Sequence, residues 1–193
     1  MSELPGNPLT DVIFSDFIHS VELDVCEESV ASAAKELQRL DEGRVVSNRG
    51  GYQSTGYLSS EDCGVSEIHE MLSESREYVQ EFLDYHYGLD VKEYFWWANV
   101  SAVGDFNVPH NHGKTDLCAV YFAKAPEGSG KLYLERNDGA TYSNLYNNID
   151  NGRGFQITPQ AGRLYIFPGH IVHWVEPSES AERISFAINY LAE

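Results

Sequence analysis

Tyr94-Phe95-Trp96-Trp97-Ala98-Asn99-Val100-Ser101-Ala102 marks the point at which the sequence changes character. Aromatic and β-branched residues crowd into it. Runs of the same kind follow at Leu117–Lys124, Lys131–Glu135, Phe155–Thr158, Arg163–Phe167, Ile171–Val175 and Arg183–Leu191. Such side chains suit a pleated, half-buried surface, and the turn residues between the runs reverse the chain. About seven strands at this spacing, with no helical pattern between them, predict a mainly β fold, either a two-layered sandwich or a barrel.

Upstream of Tyr94 the period changes to that of a helix. Val30, Ala33, Ala34, Leu37 and Leu40 recur at helical spacing between Cys26 and Leu40, and Gly43 stands where a helix would stop. A second amphipathic stretch runs from about Ser66 to Tyr87, with Ile68, Met71, Leu72, Val79, Phe82 and Leu83 on one side and Gly88 just past its end. Two helices packed on the β layers, their acidic outer faces in water, are the expectation. Between them Val45–Gly64 is rich in Gly, Ser, Asn and Asp and has no period, which predicts a long structured loop with a functional role. The chain reads as a single domain: residues 1–93 supply helices and loop, and residues 94–193 the β core.

At 193 residues the chain can bury a core without disulfide or metal staples, so any metal is expected to serve chemistry. Thirty acidic against 13 basic side chains give a formal charge of −17, which repels nucleic acid and anionic lipid. DNA, RNA and membrane surfaces are therefore not expected partners. The 42% hydrophobic content excludes a disordered acidic tail. Cys26, Cys63 and Cys118 are odd in number and widely spaced, and Met1–Thr10 carries no basic, apolar leader, so a reducing cytoplasm is the expected location. The longest apolar run, Leu117–Ala123, is far short of the roughly 20 residues of a spanning helix. Composition leaves a homodimer open.

Val108-Pro109-His110-Asn111-His112-Gly113 places two of the seven histidines one residue apart. On an extended strand residues i and i+2 point the same way, so both imidazoles can face one point, although solvent-facing turn histidines have the same pattern. His173, in Gly169-His170-Ile171-Val172-His173-Trp174, is a third candidate. Neutral imidazoles favour iron, copper, nickel or zinc over magnesium or calcium. Ten residues later come Arg183 and Ser185, on one face of a strand otherwise apolar through Ile184, Phe186, Ile188 and Leu191. An inward guanidinium is too costly to desolvate unpaired. Its partner is either an internal carboxylate or the carboxylate of a ligand held by the guanidinium fork.

This ordered set resembles the iron(II)/2-oxoglutarate-dependent oxygenases, which carry a His-x-Asp, a distal His and a basic residue about ten positions later. It is most similar to a bacterial and phage subgroup of that family. The resemblance runs through Ser47-Asn48-Arg49-Gly50-Gly51-Tyr52-Gln53-Ser54, Trp97-Ala98-Asn99, His110-Asn111-His112 and Ala119-Val120-Tyr121. It continues through Gly162-Arg163-Leu164-Tyr165-Ile166-Phe167-Pro168 with His173, and closes at Arg183-Ile184-Ser185-Phe186-Ala187-Ile188-Asn189. It implies a double-stranded β-helix, a cupin-like jelly roll packed against the N-terminal helices, and an enzyme using Fe(II), 2-oxoglutarate and O2. It further implies His110 and His173 as iron ligands, Arg183 and Ser185 on the far carboxylate of 2-oxoglutarate, and Asn99 and Tyr121 as further contacts to the co-substrate. No side chain is required as a general acid or base.

His112 departs from the family, standing where a carboxylate is usual. With three neutral imidazoles the complex of Fe(II) and the 2-oxoglutarate dianion is neutral, where a carboxylate would make it −1. His112 is the expected third ligand and Asp116 the second choice. Two other readings use the same scaffold. A cupin-type metalloprotein fits Gly104…His110-x-His112…Asp116 and Gly162…Pro168…His173 without an oxoacid, but gives no reason for Arg183-x-Ser185. A non-catalytic β-sandwich would pair Arg183 internally and leave His173 unliganded. Tyr52 and Gln53, after paired glycines, are candidates for a substrate lid or for a conformational anchor. The substrate, a small molecule or a peptide, is not legible.

Overall fold

The computed structural model describes residues 16–59, 63–135, 154–179 and 182–193. Met1–Thr10, on which the expectation about a leader rests, and residues 60–62 of the long loop lie outside them. The elements run in the order β1 (His19–Glu22), α1 (Glu27–Leu40), β2 (Asn48–Arg49), β3 (Tyr52–Gln53), β4 (Tyr57–Leu58), α2 (Ser66–Tyr87), β5 (Val91–Ser101) and β6 (Phe106–His110). Then follow β7 (Leu117–Lys124), β8 (Leu132–Glu135), β9 (Gly154–Ile157), β10 (Arg163–Pro168), β11 (Val172–Val175) and β12 (Arg183–Ala192).

Each helix forms where its apolar period lies. α1 buries Val30, Ala31, Ala33, Ala34 and Leu37, places Glu27 and Glu28 at its positive N-terminal end, and closes with the Asp41 N–H on the Leu37 carbonyl. α2 buries Ile68, Met71, Leu72, Val79, Phe82 and Leu83 and ends at Gly88, whose φ of 63° is left-handed. A buried polar tie joins α2 to the sheet, where the Ser75 and Tyr190 hydroxyls lie 2.8 Å apart. Neither helix is long and apolar enough to cross a membrane.

The strands form two antiparallel sheets. One has the order β1-β10-β7-β12-β5-β3, with β4 also on β5; the other has the order β2-β6-β11-β8-β9. The large sheet separates two cores, and the period of two on β7 shows the division. Leu117, Ala119, Tyr121 and Ala123 face the helices, whereas Cys118, Val120 and Phe122 face the second sheet. The same alternation divides β12: Ile184, Phe186, Ile188 and Tyr190 pack on the helices, and Arg183, Ser185, Ala187 and Asn189 turn inward between the sheets. This is a jelly roll, the double-stranded β-helix expected from the sequence.

Two expectations are corrected. Val45–Gly64 was expected to lack regular structure, yet it contributes β2, β3 and β4, two residues each. Elements this short have no readable period, and only pairing with β6 and β5 defines them. β1 and β6 are also additional to the seven strands expected, the latter because Pro109 interrupts its pattern. In the long loop, Gly50 and Gly51 adopt φ of 71° and 64° against the Asp105 carboxylate, where a Cβ would collide with it. Because β2 joins one sheet and β3 the other, this glycine pair lies where the chain passes between the two.

Candidate metal centre

Strand register assembles the site. On the small sheet His173 of β11 lies directly opposite His110 at the end of β6, and His112 follows two residues on. The three imidazole centroids are 4.4 to 5.1 Å apart, and one nitrogen from each falls within 4.8 Å of the other two. Among the described residues this is the group of His, Cys, Asp and Glu side chains that could hold a metal ion.

Hydrogen bonds fix which nitrogens face inward. His110 Nδ1 lies 2.8 Å from the Val108 carbonyl, His173 Nδ1 3.0 Å from the Ile171 carbonyl, and His112 Nδ1 2.6 Å from Asn189 Oδ1. An oxygen of this kind only accepts, so each Nδ1 carries the proton and each Nε2 keeps a lone pair. Burial pushes His173 down to about 3 and His112 down to about 4, and lowers His110 as well. All three are therefore neutral at pH 7, the form that ligates a metal.

The inner face of the large sheet supplies the other wall. Ser185 lies opposite Asn99, and Arg183 opposite Ser101, across the β12–β5 pair. Arg183 is 2% exposed and donates to the Ser129 carbonyl at 2.6 Å and to Ser101 Oγ at 3.1 Å. No described carboxylate pairs with it, although the charge of Asp105 partly offsets the burial that lowers its pKa to about 10. It remains a cation at neutral pH, held by neutral partners only. A narrow cavity of about 50 Å³ joins it to the imidazoles, and His110, His112, His173, Asn99, Arg183 and Ser185 all line this cavity.

Two expected residues stand elsewhere. Tyr121 was expected to touch the co-substrate, but its odd position on β7 turns it onto the helices, where it is fully buried and its hydroxyl has no partner among the described residues. Val120 and Phe122 line the cavity from that strand instead. Asp116 is exposed, and its Oδ2 accepts the Ala192 N–H at 2.9 Å. Sequence reasoning missed Asn189, Trp97, Ser101 and Ser129. For Asn189 the signal was present, since it continues the every-second-residue series from Arg183 and Ser185.

Outside the imidazoles lies a wider groove of about 700 Å³, which shares His110, His112, Trp97 and Asn189 with the inner cavity. The imidazoles thus lie between an inner pocket ending at a cation and an outer groove open to solvent.

Residues 95–189, which hold every cavity residue named here except Ser47, match the family described as "Putative 2OG-Fe(II) oxygenase". Over that stretch the chain is similar to this family. The oxygenase fold is also that of solved structures of low sequence identity. A prolyl-4-hydroxylase of Pseudomonas putida superposes with a TM-score of 0.62 at 16% identity, covering 90% of this chain and 91% of that one. A prolyl hydroxylase of Trichoplax adhaerens, solved with a hypoxia inducible factor peptide, gives 0.68 at 14% identity over 90% and 83%. The viral collagen prolyl hydroxylase of Paramecium Bursaria Chlorella virus-1, as its 2-oxoglutarate complex, gives 0.55 at 14% identity over 91% and 95%. No curated protein sequence matches the oxygenase.

The family sets the cofactors as Fe(II), 2-oxoglutarate and O2. The donor set fits: three neutral imidazoles suit Fe(II), and three ligands leave positions for a chelating oxoacid and dioxygen. The oxygenase is an enzyme, which sets aside the non-catalytic reading, and its match is to 2-oxoglutarate oxygenases, not to a cupin-type dioxygenase or isomerase without an oxoacid.

Proposed function

We propose that the oxygenase hydroxylates an aliphatic C–H bond of a small molecule or peptide. One oxygen atom of O2 enters the product alcohol and the other enters succinate, formed from 2-oxoglutarate with loss of CO2. In this reading His110, His112 and His173 hold the iron, and the bound iron and oxoacid supply the oxidising chemistry. Arg183, with Ser185 and Asn99, receives the far carboxylate of 2-oxoglutarate. The protein positions the reactants and excludes water, and no side chain shuttles a proton. Nucleic acid is disfavoured as substrate by the −17 charge.

The observation that carries the reading is Arg183: a guanidinium 2% exposed, without a carboxylate among the described residues, in the cavity that the three imidazoles line. A buried cation paired only with a carbonyl and a hydroxyl retains much of its desolvation cost, and a ligand carboxylate is the group that relieves it. The test is anaerobic addition of 2-oxoglutarate to the Fe(II)-loaded protein, followed by the visible charge-transfer band of the chelated oxoacid. Half-saturation is expected to need roughly a hundredfold more 2-oxoglutarate in Arg183→Ala, the order measured when one member of a buried charged pair is removed. Iron bound with no band at millimolar 2-oxoglutarate, or a titration unchanged in Arg183→Ala, refutes the assignment.

A further inference from the structure

We infer that the outer groove recognises a carboxylate on the substrate, through Arg44 and Lys114. The inference rests on the oxygenase reading and names the substrate chemistry that the reading leaves open. Acidic residues outnumber basic ones 30 to 13 in the chain, yet the groove is lined by Arg44 and Lys114 and by no described Asp or Glu. Neither cation has an ion-pair partner among the described residues. The described carboxylates thus leave both cations free to meet a ligand at the groove.

Both cations are placed by the site itself. Arg44 donates its backbone N–H to the Gln53 carbonyl at 2.8 Å, and its guanidinium carbon stands 5.7 Å from the centre of the Trp97 ring. Trp97 in turn packs 5.4 Å from the His112 ring, so Arg44 is held one aromatic layer from the metal ligands. Lys114 follows His112 by two residues in sequence. The groove also contains Gln53, 3% exposed, whose Oε1 is buried without a donor. A substrate N–H beside the carboxylate is the donor it lacks.

The net charge of −17 does not cancel this local field. At physiological ionic strength the screening length is about 8 Å, so the acidic outer faces of the helices act weakly at the groove while adjacent cations act fully. A carboxylate with a neighbouring N–H occurs in an N-acylated acidic amino acid and in an Asp or Glu side chain of a peptide. The recognition chemistry is common to both.

The test uses the protein loaded with Fe(II) and 2-oxoglutarate under argon, and reads binding from tryptophan fluorescence. One arm compares N-acetylglutamate with N-acetylglutaminamide, which has no carboxylate, and the other acetyl-Gly-Gly-Glu-Gly-Gly-amide with acetyl-Gly-Gly-Gln-Gly-Gly-amide. In at least one arm the acid is expected to bind about tenfold more tightly than its amide, as charge-assisted contacts do. Discrimination is expected to fall in Arg44→Gln and in Lys114→Gln and to return in Arg44→Lys; which arm responds identifies a free or a peptide carboxylate. Equal binding of acid and amide in both arms, no binding of either acid at millimolar concentration, or discrimination unaffected by both Gln variants overturns the inference. The 2-oxoglutarate absorption band in the same samples reports separately on the oxygenase reading, so the two can fail independently.

Discussion

Replacing Asn189 tests the centre from its least expected member. The side chain is 2% exposed, and its Oδ1 accepts from His112 Nδ1 at 2.6 Å and from the Cys118 thiol at 3.3 Å. Asn189→Leu keeps the volume roughly constant and removes that acceptor. His112 then loses the bond that keeps the proton on Nδ1, and the tautomer with the proton on Nε2 has no lone pair for a metal. Loss of a buried acceptor costs about 1–3 kcal/mol, which is roughly a 5- to 150-fold change in an equilibrium constant, and partners behind a metal ligand typically contribute 10- to 100-fold in affinity. Fe(II) affinity of Asn189→Leu, measured by competition with a coloured chelator, is therefore expected to fall 10- to 100-fold. Asn189→Asp supplies an anionic acceptor at the same place and is expected to restore most of the affinity while lowering the thermal stability of the metal-free protein. Unchanged Fe(II) affinity in Asn189→Leu would refute both the positioning role of Asn189 and the assignment of His112 as a ligand. A purely structural role would lower the melting temperature alike with and without metal and leave affinity untouched.

Burial holds His112 at about 4 and His173 at about 3, well below the ordinary 6.5, so the unfolded chain binds these protons more readily than the folded one. Their contribution to apo stability is complete above pH 6.5 and is lost as pH falls toward 4 and then 3; melting temperature measured from pH 7 to 4 is expected to fall, and to fall less steeply in His173→Leu. Tyr121→Phe removes a buried hydroxyl without a partner, so stability is expected to hold or to rise by up to about 1 kcal/mol, with 2-oxoglutarate affinity unchanged in the band titration. Gly50→Ala adds a Cβ against the Asp105 carboxylate at φ 71° and is expected to cost more than 1–2 kcal/mol in urea unfolding, whereas Gly104→Ala, at φ 86° with open space around the new methyl, pays the conformational term alone. Arg183→Met is expected to leave apo stability equal or higher while shifting half-saturation of the 2-oxoglutarate band upward about a hundredfold, because the cation it replaces has no carboxylate partner in the described protein.

What was legible in the sequence follows from how far each signal reaches along the chain. α2 was readable to its last residue because an apolar period and a following Gly88 are local, and β7 was readable because seven consecutive apolar residues mark a strand buried on both faces. β2, β3 and β4 were not, since a two-residue strand exists only through its partner. The misplacement of Tyr121 and the omission of Asn189 have one physical cause. A strand side chain faces one of two cores, and adjacency to a motif does not say which. Parity does: once Arg183 is taken as inward, Ser185, Ala187 and Asn189 must follow it, and the β12–β7 register, which pairs Asn189 with Cys118 and Ser185 with Phe122, makes the even positions of β7 inward and Tyr121 outward. The same rule accounts for the side chain that supports His112. The Asn189 amide, reached by counting inward positions along β12, sits behind that imidazole and orients it, so the donor set and the strand that supports it belong to one arrangement.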